Sequence, residues 1–150
     1  RFEPIAKSIK EAHPDAFEKA HVSFISPRGD VGETMTKAFA AAQKLGVEEK
    51  ISDAIFDYNF NKNSMLTSKQ DIRNVFVVND VAGDEFDKAL ASFAVRASAS
   101  KMDRRATNLG VNATPTFIVN GKYKMLPQGF RDSEDFVADF TALASYLVDK

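Results

Sequence analysis

Apolar residues recur at helical spacing along most of the chain, and two short stretches alternate instead. Phe2, Ile5 and Ile9 share one face with charges between them. This predicts a helix that begins at or just before residue 1. It ends near His13-Pro14, because the residue before a proline avoids the helical region. No capping residue precedes Phe2, and Pro4 is tolerated only in a first turn, so the helix opens without its usual lead-in. Ala20–Ile25 alternates and is partly β-branched, which predicts a short strand. Ser26-Pro27-Arg28-Gly29 reads as a loop.

A helical block follows. Asp30 and Glu33 form an N-terminal capping pair, Met35, Phe39, Ala42 and Leu45 make an apolar stripe, and Gly46 supplies the stop. A second helix of the block runs from about Glu48 to Phe60, with Ile51, Ile55 and Phe56 inward. Thr67 and Gln70 form a capping box for a third, which carries Ile72, Val75 and Phe76. A fourth, long helix starts near Gly83-Asp84 and ends at Asn108-Leu109-Gly110. Its expected buried contacts are Phe86, Leu90, Phe93, Ala97 and Leu109.

The pattern then changes period. Thr116–Val119 is a compact apolar run, Asn120-Gly121 is a two-residue hairpin signal, and Lys122–Met125 returns. Pro127-Gln128-Gly129 is a loop. A closing helix begins near Asp132-Ser133, with Glu134 and Asp135 well placed against its dipole. Phe136, Phe140, Leu143 and Leu147 form its core stripe. The order is helix, strand, four helices, hairpin, helix: an α+β pattern in which a helical block interrupts a small sheet. No internal repeat, low-complexity tract or linker divides it.

Composition narrows the chemistry. At 150 residues the chain is long enough for a sizeable core, and 13 phenylalanines are available to build it. A net charge of −1 gives none of the basic excess that a nucleic-acid surface needs. No apolar run approaches the ~20 residues of a membrane helix. Arg1-Phe2-Glu3-Pro4 has no signal-peptide pattern. The absence of cysteine excludes disulfides, thiolate metal sites and cysteine nucleophiles within these residues. His13 reads as a helix-end residue and His21 as a packed or solvent-facing one; two isolated histidines have no metal spacing. No calcium loop, phosphate loop or nucleophile elbow occurs. The run Lys101-Met102-Asp103-Arg104-Arg105 reads as a solvated helix face. Neither a metal nor a cofactor is expected.

Ala113-Thr114-Pro115-Thr116-Phe117-Ile118-Val119-Asn120-Gly121-Lys122-Tyr123 resembles the segment that follows the helical insert in DsbA-like thiol–disulfide oxidoreductases. Leu126-Pro127-Gln128-Gly129 and the closing helix through Tyr146-Leu147 continue the resemblance. Upstream, His21-Val22-Ser23-Phe24, Leu45-Gly46-Val47-Glu48-Glu49-Lys50 and Asp71-Ile72-Arg73 match in order and spacing, so that it spans essentially the whole chain. The resemblance implies a thioredoxin-like sheet with an inserted helical domain. Residues 1–30 and 111–150 would form the thioredoxin-like part, truncated at its N-terminus, and 31–110 the insert. It also implies disulfide formation in exported proteins, a periplasmic location, unfolded or exported protein substrates and a membrane redox-recycling partner.

The departure from the family is chemical. Its Cys-x-x-Cys motif caps the first helix after two strands, and Phe2-Glu3-Pro4-Ile5 resembles the residues just beyond the second cysteine. Disulfide exchange needs a thiolate, which a helix N-terminus favours through its free N–H groups and dipole. No serine or threonine replaces it, so no catalytic residue is expected in the chain. By the resemblance, Thr114 and Pro115 remain as a substrate-binding site with a cis peptide bond, where the Thr114 backbone pairs with an extended peptide. From the dipeptide alone trans is the default, since about 5–6% of such bonds are cis. Glu3 and Lys19 fall where the family has a thiol-tuning charged pair; as isolated residues they are two solvated charges.

In the family the strand before the redox motif lies between Ala20–Ile25 and Thr116–Val119. Without it two sheet edges lack partners, and each buried unpaired backbone group costs about 1–3 kcal/mol. Three solutions follow: a segment outside this sequence, strand exchange with a second chain, or closure of the sheet with Val22 and Ile118 on paired strands. Two other functions share such a scaffold, a non-catalytic peptide-binding module and a kappa-class glutathione transferase-like enzyme. A Cys-x-x-Cys ending a few residues before Arg1 in the encoded protein would establish the oxidoreductase.

Overall fold

The computed structural model describes residues 2–25 and 29–150. Its elements are α1 (Glu3–Ala12), α2 (Asp30–Lys44), α3 (Glu48–Phe56), α4 (Lys69–Val78), α5 (Gly83–Ala91), α6 (Phe93–Asn108), β1 (Phe117–Val119), β2 (Tyr123–Met125) and α7 (Phe136–Val148). A π-helical turn, Asp57–Asn61, extends α3, and a 3₁₀ turn, Pro127–Phe130, follows β2. The chain divides into two compact units, Ala20–Asn108 and Arg1–Lys19 with Leu109–Lys150.

The contiguous unit is helical. Met35, Ala38 and Ala42 of α2 meet Ile51 of α3, Ile72 and Phe76 of α4, and Phe86 and Leu90 of α5 in one core. The Phe76 and Phe86 rings lie 4.6 Å apart at its centre. On the other side of α2, Phe39 and Ala41 pack with Val95 and Met102 of α6.

The long fourth helix is in fact two. Ser92 adopts an extended conformation (ψ 147°) between α5 and α6. Its Oγ donates to the Ala89 carbonyl (2.7 Å) and accepts the Val95 N–H (3.3 Å), capping α6. The break moves the buried stripe to Val95, Ala99, Met102 and Ala106. Phe93, expected inside, is therefore 80% exposed, and Ala97 is exposed with it.

Other corrections are local. Gly29, not a side chain, starts α2, and Asp30 is the first helical residue. The capping box of α4 sits one residue later than expected, on Ser68 and Asp71, because Asp71 reaches both Thr67 and Ser68. Phe56 turns outward and stacks on exposed Phe60 at 4.7 Å. Met102 is buried and Asp103 half-buried, so that run is not a fully solvated face. The loop expected at Ser26–Arg28 lies outside the described residues.

The discontinuous unit holds the sheet. β1 and β2 pair antiparallel with Phe117 opposite Met125 and Val119 opposite Tyr123. Asn120 and Gly121 both take positive φ (54° and 66°), as a hairpin turn of this type requires. The Lys122 N–H donates to the Val119 carbonyl and closes the turn around Asn120-Gly121, and the ladder resumes with Val119 opposite Tyr123. Ile5 and Ile9 of α1, Met125 of β2, and Phe140 and Ala144 of α7 form the core. α7 starts at Phe136, later than expected, capped by the Asp135 carboxylate on the Ala138 N–H. Its buried line is Phe140 and Ala144; Leu143, expected inside, is 37% exposed.

Among the described residues no strand occurs at 20–25, contrary to expectation. Residues 20–22 take no regular structure and residues 23–25 bend, so the segment enters no ladder. Side chains hold it instead: the Ser23 N–H and hydroxyl both donate to the Asp103 carboxylate of α6. Among the described residues the sheet consists of β1 and β2, so Val22 and Ile118 are not on paired strands.

Candidate functional site

The loop before β1 is exposed at Ala113, Thr114 and Pro115. The Thr114–Pro115 peptide bond is cis. The Thr116 hydroxyl donates to the Ala113 carbonyl at 2.6 Å. Among the described residues, the Thr114 N–H and C=O have no intramolecular hydrogen-bond partner. Phe117, next along the chain, is anchored with its ring 4.9 Å from that of Phe140. Phe2, at the head of α1, joins the same aromatic cluster through Phe136 at 6.3 Å. The start of α1 and the end of the loop are thus fixed to one core.

Glu3 and Lys19 come together, with Lys19 Nζ 2.7 Å from Glu3 Oε1. Their side chains are 55% and 33% exposed. A pair this wet contributes roughly 0–1 kcal/mol to stability.

The two histidines do structural work. His13 ends α1 and shares a 2.7 Å hydrogen bond with Ser145 of α7. His21 packs against Phe39, and its Nδ1 lies 2.7 Å from Thr36 Oγ1. The single proton of that hydroxyl goes to the Gly32 carbonyl. Thr36 must therefore accept, which puts the neutral ring's proton on Nδ1. Burial pushes the His21 pKa below its ordinary value, with Asp103 opposing. No cluster of metal-ligating residues exists among those described.

Two contacts had no advance notice in the expected elements. Asn120 Nδ2 donates to the carbonyls of Leu147 and Val148, 2.8 Å each, and ties the hairpin to the end of α7. Thr116 spans the exposed loop. The residue type permits the second, since a threonine hydroxyl can bond a backbone carbonyl three residues back, but does not require it.

A DsbA-like thioredoxin domain model matches residues 16–140. The chain belongs to this family. It is 33% identical over 150 residues to the thiol:disulfide interchange protein DsbA of Escherichia coli K12, covering 97% of this chain and 71% of the relative. The DsbA of Salmonella typhimurium is 35% identical, with 97% and 70% covered. The crystal structure of DsbA from Proteus mirabilis superposes with a TM-score of 0.87 at 28% identity, over 99% of this chain and 80% of that one. A cysteine-to-serine variant of the Proteus protein, with a non-covalently bound peptide PWATCDS, gives 0.86 at 29% identity, over 97% and 78%. The fold is therefore DsbA thioredoxin-like, with an incomplete sheet in this chain. The relatives' identity favours the interchange proteins over the glutathione transferase reading. Unlike an active member, the chain has no cysteine, and so no redox centre within its 150 residues.

Proposed function

We propose that this chain binds extended polypeptide segments at the Thr114–Pro115 loop, as the substrate-engaging part of a system for thiol–disulfide exchange on exported proteins in the bacterial periplasm. The carrying observation is the exposed Thr114 backbone, whose donor and acceptor are both unpaired beside Pro115. A peptide strand satisfies such groups at once, by adding main-chain hydrogen bonds. The Proteus relative with its bound peptide supports the reading. In it Glu3 and Lys19 would tune thiols at the head of α1, and a membrane redox-recycling protein would be the second partner. Without a thiolate the 150 residues bind but do not exchange disulfides.

The test is titration of the isotope-labelled chain with PWATCDS under reducing conditions, followed by amide NMR. Shifts centred on Thr114 and Thr116 are expected. Saturation with no change there would overturn the reading. The same preparation should show no insulin reduction, and any turnover would contradict the thiolate requirement.

Among the described residues β1 pairs on one side only. Its other edge is where a strand from a second copy would add, so strand exchange predicts dimers that grow with concentration. Analytical ultracentrifugation showing a monomer throughout would remove this part of the proposal.

A further inference from the structure

We propose that Thr116 is the positioning residue of the peptide-binding loop: its hydroxyl holds the Ala113 carbonyl, so that the Thr114 peptide groups stand ready for an incoming strand. The inference rests on the reading of Thr114–Pro115 given above.

The bond from Thr116 Oγ1 to the Ala113 carbonyl closes over the two residues between them, Thr114 and Pro115. A conventional turn would make that closure through the Thr116 N–H. Among the described residues no such backbone bond forms, and the hydroxyl takes its place. Pro115 has no N–H to offer. Among the described residues the Pro115 C=O and the Thr116 N–H lack partners as well, and Thr114 is the exposed residue next to Pro115 that offers both a free N–H and a free C=O. Thr116 is also where exposure changes. Ala113, Thr114 and Pro115 face solvent, Thr116 is half-buried, and Phe117 enters the aromatic core. The hydroxyl thus transmits the fixed position of β1 to a part of the loop that, among the described residues, has no other hydrogen bond. A preorganised loop loses less freedom on binding, and affinity gains by that saving. The ligand class is a polypeptide in extended conformation, recognised through its backbone.

The variants Thr116→Val and Thr116→Ser separate this role from packing. Valine keeps the shape and β preference and lacks the hydroxyl; serine keeps the hydroxyl. The freed Ala113 carbonyl belongs to an exposed residue and can be hydrated, so the melting temperature should stay close to that of the wild type. Affinity for PWATCDS, read from amide shifts and calorimetry, should fall on the order of three- to tenfold in Thr116→Val, the worth of one hydrogen bond. It should remain near wild type in Thr116→Ser. If the wild-type chain does not bind at Thr114, the underlying reading fails and takes this inference with it. If the wild type binds and the valine variant binds equally well, the inference alone fails. It fails too if affinity and melting temperature fall together and serine restores neither. Thr116→Ala makes the same decision should the valine variant not fold.

Discussion

Phe140 is fully buried, and its ring meets Phe117, Phe130 and Phe136 at 4.9, 5.0 and 5.6 Å. Those partners come from β1, the 3₁₀ turn and α7, so one side chain joins three elements around the site. Phe140→Ala should lower stability by about 3–5 kcal/mol in urea unfolding, from lost burial and the cavity left behind. Its core position was legible in the helical spacing from Phe136. His21 carries a second residue-scale prediction. Its native pKa lies below the ordinary 6.5 because burial penalises the charged ring. On unfolding the ordinary value returns, so the unfolded chain takes up the proton first. The stability held by keeping the ring neutral is complete above pH 6.5 and is lost as pH falls through the native value. His21→Gln should flatten this loss below pH 6.5 relative to wild type. Parallel pH profiles for the two proteins would refute the assignment. The sequence left His21 as packed or solvent-facing and could not name Thr36 or Asp103, which approach from α2 and α6.

At the scale of elements, helix existence followed from periodicity and helix ends followed from particular side-chain bonds. The apolar spacing Phe86, Leu90, Phe93, Ala97 runs without interruption, yet the helix breaks at Ser92. A serine can cap or continue a helix, and here the Val95 N–H and the Ala89 carbonyl both use its Oγ. Ser92→Ala should destabilise by about 0.5–2 kcal/mol, the usual cost of a lost N-cap, measured by thermal unfolding. An unchanged midpoint would mean that packing against α2 alone sets the break. The α4 start shows the same limit. Thr67 and Ser68 are adjacent capping residues, and the box goes to Ser68 because Asp71, rather than Gln70, reaches back. The expected strand at Ala20–Ile25 failed for a different reason. Its alternation is real, but a ladder needs a neighbour, and the sequence pattern of one segment says nothing about its partner.

At the scale of the whole molecule, the two compact units differ in how the chain builds them. Ala20–Asn108 is contiguous and carries two hydrophobic clusters of its own. A fragment of that span should keep its helical circular dichroism and melt cooperatively; a featureless melt would show that its core depends on the remaining residues. The other unit is assembled from both ends of the chain, so the head of α1 and the Thr114 loop meet one core only after long-range folding. The sequence by itself determined the α+β class, the hairpin at Asn120-Gly121, most buried helix faces and the lack of any thiol. These are matters of period, turn chemistry and atom inventory, which are local. The tertiary structure alone decided that residues 20–25 are held by Asp103 instead of a sheet, that Asn120 ties the hairpin to α7, and that Thr116 spans an exposed loop with free peptide groups. Each of these depends on which distant or unpaired group a hydrogen bond finds, and no spacing along the chain encodes that.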